Sequence, residues 1–388
     1  MKKIFVILEA GDAIPSGVVR GLIYKEQFIK NGYEVRYINR FPAGIMKIVL
    51  SPRGVMKILV NAFLSGAFSS QKNWAVKNDK PSIFKRTMKK MVEYIMHLRN
   101  VQIAQIAKGY DAVYMSKVRS YGLVQELKKH KGLRIVQDFG DAIWLPNRHS
   151  NNYFDITNFN TLLGAVDAVT CDNEYTAEYA RKFNTNVTAI SDYPQTHLFD
   201  KERSRFSKGK GDALVIGWIG SPNTVYNLYV IWEALEEVFK KHKNLRLRLV
   251  GTGTAPNMLP EFENVNYSVV TSYTQDQMVE EILQMDIGLF PLQNTEASKV
   301  RGVLKACIFM SGGVAVVASP VGQSVDFIKD GVNGMLATTK EEWIEKLEKL
   351  ITDAELRSKI ANAGLESVRK KFSLEENFKK LITIIEGK

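Results

Sequence analysis

Residues 286–337 read DIGLFPLQNTEASKVRGVLKACIFMSGGVAVVASPVGQSVDFIKDGVNGMLA, and their spacing decides the fold. Asp286 to Pro291 is an apolar run of strand length. From Lys299 to Met310 the apolar residues Val300, Val303, Leu304, Cys307, Ile308 and Met310 recur at helical spacing, which predicts one helix over 299–310. Gly312 and Gly313 end it, as glycine does at a helix C-terminus. Val314 to Ala318 is then a continuous apolar strand, the pattern of a parallel sheet covered on both faces. On such a helix Arg301 and Lys305, four residues apart, share one face near the N-terminus. Two fixed cations beside free N–H groups and the positive end of a helix dipole make an anion site.

The same alternation extends in both directions. Ala213 to Gly220 reads as a strand running into Gly220-Ser221-Pro222-Asn223, with a helix from Thr224 to Lys241. A strand feeding a glycine turn and a helix start offers N–H groups to a diphosphate, so Gly220 and Ser221 are candidate phosphate contacts. LRLRLVGTG at 245–253 is the next strand and loop. Gly251, Thr252 and Gly253 form only part of a dinucleotide fingerprint, because Pro256 stands at the third glycine position, and a dehydrogenase gains little support. Upstream, residues 3–8, 33–38, 111–115, 133–139 and 186–191 read as strands, with helices over 17–31 and 121–130. This order argues for α/β architecture with parallel, doubly wound sheets. Glycine at position 17 opens the first helix and allows close backbone approach, and Arg20 faces either the site or solvent. Asp138 and Asp141 stand at a strand's carboxyl end, where open α/β sheets carry their sites; an acceptor contact and a helix cap are both open for Asp141. His149 lies in the polar loop NRHSNN, as an acceptor contact or a solvent-facing residue. The polar run KERSRFSKGKGD marks 201–212 as a linker, dividing the chain into 1–200, 213–372 and a terminal helix over 373–388.

The 286–337 segment resembles the donor-binding region of GT-B glycosyltransferases of the family 4 type, in a branch with the pattern PLPDTPxxxGKxxFKLxQYMAxGLPVVASPVG…DGxNG. Arg301 and Lys305 match its two lysines, Val316 to Gly322 match VVASPVG, and Gly331 to Gly334 match the closing turn. Two glutamates that most family 4 enzymes carry, eight positions apart, correspond here to Val300 and Ile308. After the 213–220 strand, Trp218 and Thr224 stand where many relatives have an arginine and a lysine. The resemblance implies two Rossmann-like domains facing a cleft. The first would bind the acceptor, the second the nucleotide sugar, and the terminal helix would pack back on the first. It implies a donor site of Gly17, Gly220, Ser221, Gly251, Thr252, Gly253, Tyr273, Glu296, Arg301 and Lys305. Tyr273 would pack on the base and Glu296 hold sugar hydroxyls. Asp138, Asp141 and His149 would meet the acceptor, and Arg301, Lys305 and Asp138 are the candidate catalytic residues.

Composition bounds the rest. The 388 residues suit two domains, and 45% hydrophobic with 24% charged residues is ordinary for a globular protein. Cys171 and Cys307 sit in apolar runs and read as reduced core residues, which suggests a cytoplasmic setting. MKKIFVILEAGD reads as a first strand, not a signal peptide, since Glu9 and Asp12 follow a run of strand length. Between Phe41 and Tyr110 twelve lysines and arginines face only Asp79 and Glu93, which places ten of the chain's net +12 there. Interleaved with IMKIVL and VMKILVNAFL, they suit an anionic membrane surface or a solvated basic face; no nucleic-acid module accompanies them.

The combined expectation is a retaining glycosyltransferase that moves a sugar from a nucleotide-diphosphate sugar to a glycan or lipid-linked acceptor in cell-surface polysaccharide synthesis. No Asp-x-Asp box stands at a suitable strand end, so neither metal nor cofactor is expected. A sugar-nucleotide epimerase of the same fold and a non-catalytic nucleotide- or glycan-binding protein are the alternatives.

Overall fold

A computed structural model describes residues 2–9, 15–40, 83–145, 156–203, 213–253, 259 and 265–388. The chain divides into two compact units, Met1–Ser191 with Leu374–Lys388, and Asp192–Ser373. In the first, β1 (Lys3–Leu8), β2 (Glu34–Asn39), β3 (Ala112–Ser116), β4 (Arg134–Phe139), β5 (Ala168–Cys171) and β6 (Val187–Ala189) form a parallel sheet in the order β2-β1-β3-β4-β5-β6. Its helices are α1 (Pro15–Arg20), α2 (Lys25–Lys30), α3 (Ile83–Ala107), α4 (Tyr121–Leu127), α5 (Ile156–Ala165) and α6 (Glu174–Arg181). Alternation along β1 explains the layering. Phe5 and Ile7 enter one core with Ile103, Leu123 and Phe159, while Ile4, Val6 and Leu8 enter the other with Tyr24 and Phe28. The single helix expected over 17–31 is broken, because Gly21 leaves the helical region (φ −124°, ψ −69°) and a 3₁₀ turn, Leu22–Tyr24, intervenes.

The second unit repeats the plan. Its strands β7 (Leu214–Ile219), β8 (Leu245–Val250), β9 (Tyr267–Val270), β10 (Ile287–Phe290), β11 (Ala315–Ala318) and β12 (Met335–Leu336) are ordered β12-β11-β10-β7-β8-β9. The helices are α7 (Thr196–Arg203), α8 (Trp232–Lys241), α9 (Gln275–Leu283), α10 (Glu296–Lys299), α11 (Leu304–Ser311), α12 (Gln323–Phe327), α13 (Lys340–Thr352) and α14 (Ala354–Lys371). Ile216, Trp218, Ile287, Leu289, Ala315 and Val317 face one core; Ile219, Phe290, Val316 and Ala318 face the other. Strand order reverses between β7 and β10, so the crevice outside their carboxyl ends is where such a sheet takes a ligand.

The division between units falls at Ser191 and Asp192, ahead of the 201–212 stretch expected as the linker. Helix α7 packs with the second unit: Phe199 is fully buried beside Ile282, Phe309 and Val368. Residues 204–212 lie outside the described residues.

The last helix, α15 (Leu374–Glu386), belongs to the first unit. Phe378, Leu381, Ile384 and Ile385 complete the core of Ile4, Val6 and Phe28. At its end Glu386 meets Lys388 at 2.5 Å, Lys2 at 3.1 Å and the Tyr33 hydroxyl at 2.8 Å. Lys388, then Tyr33 and Lys2, hold this carboxyl down to about 2, from 4.5 for an ordinary glutamate. A carboxyl depressed on folding contributes stability above its unfolded value and loses it as pH falls through the folded value. Denaturant unfolding followed from pH 5 downward therefore shows stability falling between 4.5 and about 2, and Glu386→Gln makes that slope shallower.

Candidate active site

The β7–β10 switch point is built around one tryptophan. Trp218, near the end of β7, is 3% exposed and its indole lies under the turn that follows. A Cβ on Gly220 would stand 2.2 Å from that ring, so only glycine fits. The Gly220 N–H donates to the Val250 carbonyl at 2.9 Å. The Ser221 N–H donates to Thr224 Oγ1 at 3.0 Å, and the Thr224 hydroxyl donates back to the Ser221 carbonyl at 2.9 Å. The two N–H groups expected to face a phosphate are thus already engaged, one with the end of β8 and one within the turn. What the turn presents instead is Thr224 Oγ1, which accepts from Lys305 Nζ at 3.1 Å. The same ammonium stands 5.6 Å from the Trp218 ring centroid, within cation–π range.

Arg301 and Lys305 do not share one helix face. The 299–310 helix is two pieces, α10 and α11, separated by residues 300–303 with Arg301 in the break. Gly322 (φ +61°) fits against this break: a Cβ there would be 2.8 Å from the carbonyl oxygens of Ser298 and Arg301. Gln323 then pins it, its N–H donating to the Arg301 carbonyl at 3.2 Å and its Oε1 accepting from the Val303 N–H at 3.0 Å. Val303 gives α11 no side-chain cap. Along the chain the positive end of that helix falls between Arg301 and Lys305. Among the described residues the half-buried Arg301 guanidinium makes no hydrogen bond or ion pair. Glu296 is largely exposed and holds Lys299 at 2.7 Å. Ile308, at one of the two glutamate positions, packs against the Phe309 core.

The β8 loop braces the site. The N–H groups of Gly251 and Gly253 donate to the carbonyls of Val270 and Thr271 at 2.7 and 2.9 Å. Thr252 is buried, and its hydroxyl donates to the Gly253 carbonyl at 3.2 Å. The Tyr273 hydroxyl donates to the Gly220 carbonyl at 3.2 Å, and burial raises its pKa. Tyr273 thereby ties the β9 loop to the β7 turn.

In the first unit, Asp138 is fully buried, and no oxygen of it faces solvent. Arg20 Nε donates to both carboxylate oxygens at 3.1 and 2.9 Å, and the Thr170 and Ser116 hydroxyls donate at 2.7 and 3.3 Å. Arg20, expected at the site or in solvent, is itself buried and also donates to the Ile190 carbonyl at 3.1 Å. The pair ties α1 to the carboxyl ends of β3, β4, β5 and β6, with both oxygens of Asp138, expected at the acceptor, engaged by Arg20. Asp141 is open, its side chain 64% exposed and held by Lys117 at 2.9 Å. Both residues have left-handed backbones (φ 67° and 57°), a conformation that collects at functional edges. Gly17 lies in α1, while residues 10–14 of the preceding loop and His149 are outside the described residues. Sequence reasoning missed the Arg20–Asp138 pair and the Thr224–Lys305 contact. The one signal for the pair was a carboxylate inside the otherwise buried strand RIVQDF.

Residues 213–353 match the family model described as Glycosyl transferases group 1. A curated relative, the capsular polysaccharide biosynthesis glycosyltransferase CapM of Staphylococcus aureus, is 24% identical over 180 residues, 45% of this chain. The match spans about half of the relative, 46% of its length. Among solved structures, a glycosyltransferase from Rickettsia africae ESF-5 superposes with TM-score 0.65 at 15% identity, covering 100% of this chain and 98% of that one. Anabaena HepE in complex with UDP gives 0.62 at 13% identity, covering 100% of both chains. A Staphylococcus aureus TarM variant in complex with UDP and other ligands gives 0.65 at 13%, covering 99% and 100%. At these identities the structural likeness is one of fold.

Removing one partner of a buried ion pair leaves the other charge uncompensated, so Asp138→Ala should destabilise the first unit by about 3–5 kcal/mol. The double change Arg20→Met with Asp138→Leu should cost much less. Urea unfolding followed on both variants checks this.

Proposed function

We propose that this protein, whose residues 213–353 match the Glycosyl transferases group 1 model, is a glycosyltransferase using a nucleotide-diphosphate sugar. The observation that carries this is the cation pair of Arg301 and Lys305 flanking the uncapped start of α11, at the sheet's switch point. In the reaction the bond between the sugar's anomeric carbon and the diphosphate breaks. A new bond forms to an acceptor hydroxyl oxygen, and the hydroxyl proton is released. Negative charge grows on the departing diphosphate, where fixed cations act without reorganising. With the Gly220 and Ser221 N–H groups already engaged, that charge falls on Arg301, Lys305 and the first N–H groups of α11. We assign the reaction a retaining course that does not depend on a metal, the two side-chain cations supplying the countercharge.

The acceptor is a glycan or a lipid-linked glycan in cell-surface polysaccharide assembly, at the cytoplasmic face of the membrane. The CapM likeness supports the pathway, and helix α3 supports the location. No described helix is long and apolar enough to cross a membrane. On α3, however, Tyr94, Ile95 and Leu98 are 62%, 54% and 48% exposed. Over Ile83 to Arg99 the same helix carries Lys85, Arg86, Lys89, Lys90 and Arg99 against the single acid Glu93. Exposed apolar residues with a cationic excess suit an interfacial helix on anionic lipid.

UDP is the first donor nucleotide to test, because UDP is bound in the HepE and TarM structures. UDP should raise the melting temperature. Arg301→Ala and Lys305→Ala should each weaken UDP binding about 10- to 150-fold, the loss of one charged hydrogen bond. Stabilisation without sugar transfer or nucleotide release would favour the binding-protein alternative. No stabilisation by any nucleoside diphosphate would sink the assignment. The protein should also pellet with anionic phospholipid vesicles at low salt but not with zwitterionic ones, and Ile95→Asp with Leu98→Asp should abolish pelleting.

A further inference from the structure

We infer that Trp218 and Thr224 are positioning residues that hold the Lys305 ammonium at the place where it meets the donor diphosphate. The inference rests on the donor-site assignment above. Lysine carries its charge on a flexible four-carbon stem, so an unanchored ammonium samples many positions. Here Thr224 Oγ1 meets it at 3.1 Å, and the buried indole of Trp218 lies 5.6 Å away at the ring centroid.

Both anchors are themselves held. Trp218 is walled in by the core, and the missing side chain of Gly220 leaves the ring its space beside Thr224. Thr224 Oγ1 is oriented by its reciprocal bonds with Ser221, which leave a lone pair for Lys305. The turn thus acts at one remove, aligning a cation instead of offering its own N–H groups.

The test is a double-mutant cycle read by isothermal titration of the full chain with UDP. Thr224→Val and Trp218→Leu should each weaken UDP binding about tenfold, and Thr224→Ser and Trp218→Phe should stay within about threefold of the unsubstituted protein. In a Lys305→Ala background, Thr224→Val should add no more than about a twofold loss, since the group it aligns is gone. A second readout needs no nucleotide. The acylation rate of Lys305, followed by peptide mass spectrometry on unliganded protein, should rise in Thr224→Val, which keeps Trp218 and its core packing in place. Losses that multiply in the Lys305→Ala background, or an unchanged acylation rate in Thr224→Val, would overturn this inference alone. Absence of UDP binding by the unsubstituted protein would overturn the donor-site assignment, and this inference with it.

Discussion

A parallel sheet buried on both faces leaves its polar chemistry nowhere to go but the ends of its strands. In this chain the constraint operates twice. Leu289 and Val317 are enclosed on one side of the second sheet and Phe290 and Val316 on the other, so charge gathers past the carboxyl ends of β7 and β10. The first sheet obeys the same rule with an opposite result. Its strand-end carboxylate, Asp138, is drawn inward by Arg20 and serves as a tie between α1 and four strands. Position at a strand end is therefore a licence for polarity, and the partner decides whether that polarity becomes structure or chemistry.

In the second unit a neutral hydroxyl and an indole face stand against the Lys305 ammonium. Backbone donors that a glycine turn offers in principle are closed by Val250, Val270, Thr271 and Thr224. Closure makes the turn rigid, and a rigid turn can serve as a bearing for a side chain. Gly322 and Gln323 do for the Arg301 break what Gly220 and Thr224 do for Lys305. In each case a glycine permits the close approach, but Thr224 meets the Lys305 ammonium itself while Gln323 holds the backbone around Arg301.

Much of this was legible in the sequence. Apolar runs located the strands, β1 over residues 3–8 among them, because a doubly buried strand has little choice of residue. Arg301 and Lys305 were legible as a cation pair from composition and likeness alone. Their geometry was not, because helical spacing over 299–310 cannot reveal that residues 322 and 323 enter and split the helix. The Arg20–Asp138 pair joins positions 118 apart, and no local periodicity connects them. Residues 192–200 group with the second unit, ahead of the charged, glycine-containing 201–212 stretch that suggested a linker, because Phe199 enters the second core. Val300 and Ile308 at the two glutamate positions were plain to read, but the approach of Lys305 to an indole face and a hydroxyl was not, since it depends on where a ring lies.

The terminal helix imposes an order of events on the making of the protein. Tyr33 and Glu386 touch across 353 positions, and the core of β1 is closed by Phe378 and Leu381. During synthesis, the segment made first waits with an open apolar face while the second unit, continuous from residue 192 to 373, acquires everything it needs. That unit takes no segment from the other, whereas the core around β1 stays open until residues 374–386 dock. β1 is thus sealed by a helix more than 360 positions away, so the first unit cannot close its core until residues 374–386 have been made.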